Sequence, residues 1–270
     1  MTLMRTSHRL AILAAAVLPA LLQAQTQAQT TTTTTTSTST ATPSPLKPAT
    51  APTITPEQRA ALEEIHKLSV MTVKFAGDTH QIIIKLEPEK APGTVANFIQ
   101  NVDKGTYKGL AFHRTIADYL VQTGDPASRS NDNRDSWGLS EEYTIPGEFK
   151  IPHTTGSVAM ARRSDKVNPD RKSNGTQFYF AVGDMSSLNG QYSVFGDVVV
   201  GLDVLKKISR SIRDSNDAPI ERIEIVDIKV VDHKGPVVKL TNTGDGPKRR
   251  GTSKPDALKG PFEKFLDRVW

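Results

Sequence analysis

The sequence predicts a mainly β fold, a closed antiparallel barrel accompanied by two long helices. Two observations carry this. From about residue 70 to residue 231, short runs rich in Val, Ile, Phe and Thr recur with turn residues between them. Only two stretches in that region, opening near Pro92 and Leu202, keep apolar residues at helical spacing. Many short strands with few helices argue for a sheet that closes on itself, since closure removes exposed edges.

Residues 1–28 have the make-up of an export signal. Arg5, His8 and Arg9 give a cationic start, residues 10–22 are apolar, and L-Q-A ending at Ala24 offers a cleavage site. The apolar run is short for a membrane span, although an uncleaved anchor is the alternative. The chain contains no cysteine, so a lipid-modified cysteine, a disulfide framework and a thiolate metal site are all excluded. Residues 29–55 form a Thr/Ser/Ala/Pro tract with almost no charge or apolar periodicity, which reads as a flexible linker. Placement outside the cytoplasm, periplasmic or extracellular, is therefore expected.

Thr55-Pro56-Glu57-Gln58 is a helix start, with a Thr cap and Pro at the first helical position. Ala60, Leu62, Ile65 and Leu68 continue it as an amphipathic stripe, predicting a helix over 56–68. The folded domain is expected over 69–233. Runs 70–75 and 81–86, separated by Gly77-Asp78, predict a hairpin. Val95, Phe98, Ile99 and Val102 mark the first long helix, closed by Gly105. Residues 128–142 are polar and read as a surface loop. Strands are predicted over 157–162 and 177–182, separated by a long polar insertion, and over 193–200. Leu202, Val204, Leu205 and Ile208 mark the second helix, and 223–231 alternates as a last strand.

Residues 111–126, A-F-H-R-T-I-A-D-Y-L-V-Q-T-G-D-P, contain the chemistry. Phe112, Ile116, Leu120 and Val121 have core character, and Gly124-Asp125-Pro126 is turn punctuation. A guanidinium at Arg114, with Tyr119 and Gln122, suggests donors and an aromatic wall facing one apolar hollow. The plainer alternative is that Arg114 pairs with an acid at the barrel rim. His113 reads as a positioning or core-edge residue. The six histidines show no paired ligand spacing, so no metal is expected.

These residues resemble the cyclophilin-type peptidyl-prolyl cis–trans isomerases, in an exported bacterial form. The matching segments are I-I-I-K-L-E-P-E-K-A-P-G-T-V-A-N-F from Ile82, the 111–126 stretch, G-S-V-A-M-A from Gly156, N-G-T-Q-F-Y-F from Asn174 and V-F-G-D-V-V-V-G-L-D-V-L from Val194. The resemblance implies a closed antiparallel barrel of about eight strands capped by two helices, and rotation about X–Pro bonds without a cofactor. It makes Arg114 the catalytic arginine, with Gln122 as its matching glutamine. Substrate-binding positions are Tyr119, Leu120, Ala161, Arg162, Gln177, Tyr179, Leu188 and Tyr192.

Some positions depart from the family pattern. Tyr119 and Tyr179 stand at phenylalanine positions, Leu120 at a methionine, Tyr192 at a histidine, and Arg162 at an asparagine. Ser187 occupies a tryptophan position, which implies weak cyclosporin binding. Tyr179 and Phe180 are adjacent on one strand, so only one can face the hollow. The family alignment assigns Tyr179 to it and Phe180 to the core.

The expected partners are proline-containing polypeptide clients, and the expected state is a monomer. Net charge is +5 at pH 7, with the excess toward the C-terminal end. Residues 234–270, with Lys248-Arg249-Arg250, read as a basic, mostly disordered tail suited to weak contact with anionic surfaces. No aromatic interleaving supports specific nucleic-acid recognition. Two rival functions stand beside the isomerase: a proline-peptide binding module with little turnover, and a surface protein whose tail matters most.

Overall fold

The computed structural model describes residues 56–240. The signal and linker expectations for 1–55, and the tail expectation for 241–270, lie outside the described residues. The elements are α1 (Pro56–Glu63), β1 (Ile65–Phe75), β2 (Asp78–Leu86), α2 (Pro92–Asp103), β3 (Arg114–Ile116), β4 (Leu120–Thr123), β5 (Thr144–Ile145), β6 (Ser157–Met160), β7 (Ser173–Asn174), β8 (Phe178–Ala181), β9 (Val194–Val200), α3 (Leu202–Ser209) and β10 (Glu224–Lys234).

Eight strands form one antiparallel sheet in the order β10-β1-β2-β9-β6-β8-β4-β3, curled as a half-barrel. The order is linear, and no pairing of named strands joins β3 to β10 to give the expected closure. The reason is local, because β3 is only three residues long. The irregular segment ahead of it takes the edge instead: Gly109 N and Phe112 N donate to the carbonyls of Ile225 and Ile223 (2.7 and 2.8 Å), and Ile225 N donates to Leu110 O (2.9 Å).

The predicted helix over 56–68 is corrected. It ends at Glu63, and Ile65 and Leu68 belong to β1. β1 pairs with β10 from Ile65↔Lys234 onward and with β2 from Leu68↔Lys85 onward. Backbone bonds to β10 from Ile65, joined by bonds to β2 from Leu68, outweigh a five-residue continuation of a helical pattern. Leu68 is accordingly buried, while Ile65 is exposed. The hairpin turns at Ala76 and Gly77, both at positive φ (52° and 84°), the mirror-image turn that matches strand twist.

The main core lies between the inner face of the sheet and helices α2 and α3. Val95, Phe98 and Val102 of α2 and Val204, Leu205 and Ile208 of α3 meet Met71, Ile82, Ile84, Phe178, Phe180 and Phe195 there. Each fully buried phenylalanine stabilises the fold by about 1.5–3 kcal/mol relative to exposure. Glu148 fixes the start of α2, its carboxylate accepting from Gly93 N (3.1 Å), Thr94 N (2.8 Å) and Thr94 Oγ1 (2.7 Å). A negative charge there also complements the helix dipole.

The 128–142 loop is more ordered than its polarity implies. Asp125 accepts from Ala127 N (2.9 Å) and from Gly138 N, pinning both ends of the turn region. Trp137 is buried beside Ala111 and Ala218, under the Arg134 guanidinium 4.5 Å above its ring. The polar insertion likewise supplies β7, which pairs with β5. The first tail residues also pack on the domain: Leu240 N donates to Val199 O (2.9 Å) and Lys239 Nζ bonds Asp197 (2.7 Å).

Candidate active site

Strand alternation builds the site. In β8, F-Y-F-A, Phe178 and Phe180 enter the main core, while Tyr179 and Ala181 face outward into a second apolar cluster with Leu120, Ala159 and Val194. Register then lines residues up across the outer face. Arg114 pairs with Gln122, Gln122 with Tyr179, and Tyr179 with Ala159. Two residues along, a parallel row runs Ile116, Leu120, Ala181. One row carries donors and an aromatic ring; the other is apolar.

Above these rows opens a hollow of about 320 Å³ lined by Arg114, Ile116, Tyr119, Leu120, Gln122, Ala161, Arg162, Tyr179, Met185, Leu188 and Tyr192. That volume falls at the lower end of small-ligand sites. Tyr119 arrives from the β3–β4 turn, where Asp118 takes a positive φ of 54°. That turn packs so closely on Gly183 that a Cβ there would lie 2.1 Å from Asp118 O.

Every sequence-predicted site residue except Gln177 lines the hollow. Gln177 is buried behind it and orients Gln122. Its amide Nε2 donates to Ser140 O (2.7 Å) and Gly138 O (3.3 Å), which turns its Oε1 toward Gln122 Nε2 at 3.0 Å. The Gln122 amide is thereby fixed with its nitrogen toward Gln177, and its oxygen stays on the outer-face row that it shares with Arg114. Ile116 and Met185 belong to the wall but were missed. Ile116 was legible, standing two residues from Arg114 and so on the same strand face. Met185 comes from a loop and had no pattern to reveal it.

Tyr179 shows what its extra hydroxyl does. Burial pushes its pKa up, so the phenol stays protonated. It lies 2.9 Å from His153 Nε2, and the two rings are parallel to within 5°. His153 N donates to Asn189 Oδ1 (2.7 Å), so that atom is an acceptor and the ring Nδ1, 3.1 Å away, carries the hydrogen. Burial pushes the His153 pKa down, leaving Nε2 to accept from Tyr179. The hydroxyl is thus tied away from the hollow, and the ring presents its apolar face. Tyr192 meets that ring edge-on at 5.9 Å.

Two guanidiniums flank the cup. Arg162 stacks 4.5 Å above Tyr192, donates from Nε to Gln191 O (2.9 Å) and from Nη1 to Arg163 O (2.9 Å), and pairs with Asp165 at 2.6 Å. Its side chain is 3% exposed. The Arg114 side chain is 45% exposed, and its Nε lies 3.7 Å from Asp217 Oδ2. The rim ion pair and the donor at a hollow, posed as alternatives for Arg114, therefore coexist. His113, beside it in sequence, is buried; desolvation drives its pKa down to about 4, against the pull of Asp125 and with the push of Arg114. It stays neutral near pH 7 and lines nothing.

An aromatic-walled cup with one half-free guanidinium carries no nucleophile and no acid–base pair. It is suited to gripping an apolar ring and polarising an amide beside it. A family model described as cyclophilin type peptidyl-prolyl cis-trans isomerase matches residues 70–230. Peptidyl-prolyl cis-trans isomerase-like 2 of Gibberella zeae is 34% identical over 195 residues, covering 67% of this chain and 32% of that protein. Isomerase CYP18-2 of Arabidopsis thaliana is 31% identical over 150 residues, covering 55% of this chain and 87% of that one. The chain thus spans about a third of the first relative's length and most of the second's. A cyclophilin-type isomerase from Cryptosporidium parvum shares the fold, with TM-score 0.54 and 24% identity over 63% of this chain and 99% of that chain. With well over half of its length matched by the family model, this chain belongs to the cyclophilin-type peptidyl-prolyl cis–trans isomerases.

Proposed function

We propose that the protein catalyses rotation about X–Pro peptide bonds, with Arg114 as the catalytic residue. The observation that carries this is the placement of the half-exposed Arg114 guanidinium beside a cup walled by Tyr119, Leu120, Tyr179 and Leu188. The same fold in the Cryptosporidium parvum protein has been solved in the presence of the dipeptide Ala-Pro.

Amide resonance sets a rotation barrier of about 18–20 kcal/mol, so uncatalysed exchange takes on the order of tens to hundreds of seconds. Turning over about a thousand times per second requires lowering it by roughly 7 kcal/mol. The cup would hold the pyrrolidine ring while the preceding carbonyl swings. Arg114 would donate to the proline carbonyl oxygen or toward the amide nitrogen, favouring the twisted state in which resonance is lost. A preorganised donor of this kind contributes about 3–4 kcal/mol. Gln122, held by Gln177, steadies the peptide backbone or the guanidinium. No bond breaks and no cofactor takes part.

An isomerisation assay on a short X–Pro peptide tests the reading. Arg114→Ala is expected to lose about a hundredfold in kcat/KM. Unchanged turnover in that variant removes Arg114 from the mechanism, and its absence in the wild type would favour a binding module instead.

The clients we propose are exported proteins. The support is the cationic start, apolar run and Thr/Pro-rich spacer within residues 1–55. Sequencing the N-terminus of fractionated native protein tests this; an intact Met1 in the cytosolic fraction counts against it.

A further inference from the structure

Asp217 lies outside the cup, yet it is the acid against which Arg114 rests. Its Oδ2 is 3.7 Å from Arg114 Nε, and its Oδ1 is 3.1 Å from Arg213 Nε, so one carboxylate is held between two guanidiniums. The loop that presents it is tightly built. Ile220 N donates to Ile212 O (2.8 Å), Asp214 N to Ala218 O (2.9 Å), and Asp214 Oδ1 accepts from Asn216 N (2.9 Å) and Ala218 N (3.0 Å). The loop is also tied to the catalytic strand, Thr115 N donating to Asp217 O at 2.8 Å, one residue from Arg114.

The geometry points to Asp217 as a positioning residue for Arg114, with Arg213 as its counter-anchor. This rests on the reading of Arg114 as the catalytic donor. A guanidinium is a rigid planar fork, so an anion at its Nε edge fixes the plane's rotation and leaves the terminal nitrogens for another acceptor. A 3.7 Å contact is an ion pair and too long for a hydrogen bond. Half-exposed pairs of this kind add little to folding stability. The contribution of Asp217 therefore lies in where the fork points, and that separates it from a merely structural residue.

Asp217→Asn is the informative change. Asp217 sits at a positive φ of 63°, which asparagine tolerates as readily, so the loop keeps its shape while the charge is lost. Wild type, Asp217→Asn, Arg114→Ala and the double variant are compared for X–Pro isomerisation, KM and melting temperature. Asp217→Asn is expected to lower kcat about five- to tenfold, with KM and melting temperature close to wild type and no further loss in the Arg114→Ala background. Arg213→Ala is expected to give a smaller loss in the same direction. Wild-type kcat in Asp217→Asn, or an equal loss with Arg114 already removed, overturns the proposal. Should Arg114→Ala itself run at the wild-type rate, the reading of the site fails and the positioning role fails with it.

Discussion

Arg114 and Arg162 line the same hollow with the same side chain, yet their surroundings differ. Arg162 is engaged at Nε by Gln191 O and at Nη1 by Arg163 O and Asp165, and its face is covered by Tyr192. Arg114 is exposed to nearly half its area and touches a single carboxylate, at its Nε edge. A guanidinium buried under a ring and held at Nε and Nη1 is wall; one half-exposed over an apolar cup can answer a charge shift in a substrate. The local environment assigns the role, and residue type alone does not.

The contrast can be broken in several ways. After Arg114→Ala, the largest effect is expected from Arg114→Lys, which keeps the charge but replaces a fixed fork with a mobile point donor. Its kcat/KM should fall by more than about tenfold; a rate near wild type means that charge alone suffices. Next in size is the acid sensitivity of folding. His113 has a folded pKa of about 4 against an unfolded value near 6.5, so the native state holds fewer protons between those values. The stability it contributes is complete above pH 6.5 and is lost as pH falls toward 4, on the order of 3 kcal/mol in all. Denaturant unfolding of wild type and His113→Gln across that window should show the flatter profile in the variant; parallel profiles refute the assignment. Activity, by contrast, should be nearly flat from pH 6.5 to 9, since the mechanism calls on no proton transfer.

The smallest effect is at Tyr179. Tyr179→Phe removes the hydroxyl held by His153 and leaves the ring facing the cup. Thermal unfolding should register about 1 kcal/mol of destabilisation, with kcat changed by less than about twofold. A large drop in kcat would show that the hydroxyl reaches the substrate after all.

How much of this was legible beforehand depends on the range of the interaction. Alternation in F-Y-F-A separates Tyr179 from Phe178 and Phe180 without any structure, and the spacing in α2 gives its buried face directly. Arg114, Tyr119 and Gln122 stand out within the 111–126 stretch itself, while their roles and the remaining wall residues come from motif resemblance, which depends on order along the chain. Asp217, His153 and Asn189 carry no signal of their roles, because the partners that matter, Arg114 for Asp217 and Tyr179 for the His153–Asn189 pair, lie far away in sequence. The helix that gave way at Glu63 failed for the same reason: pairing with β10, at the other end of the domain, settles the state of Ile65 and Leu68. The half-barrel edge, too, is decided by where residues 109–112 meet 223–225; the alternation of 223–231 announces a strand but does not say which segment meets it.

The most direct test measures Arg114→Ala and Arg162→Ala side by side, taking kcat on one X–Pro peptide and melting temperature for each. The two variants should split. Arg114→Ala should lose about a hundredfold in kcat with its melting temperature held. Arg162→Ala should lose about 1–3 kcal/mol of stability while keeping most of its turnover. The reverse pattern, with turnover resting on the clamped arginine and stability on the exposed one, would contradict the account.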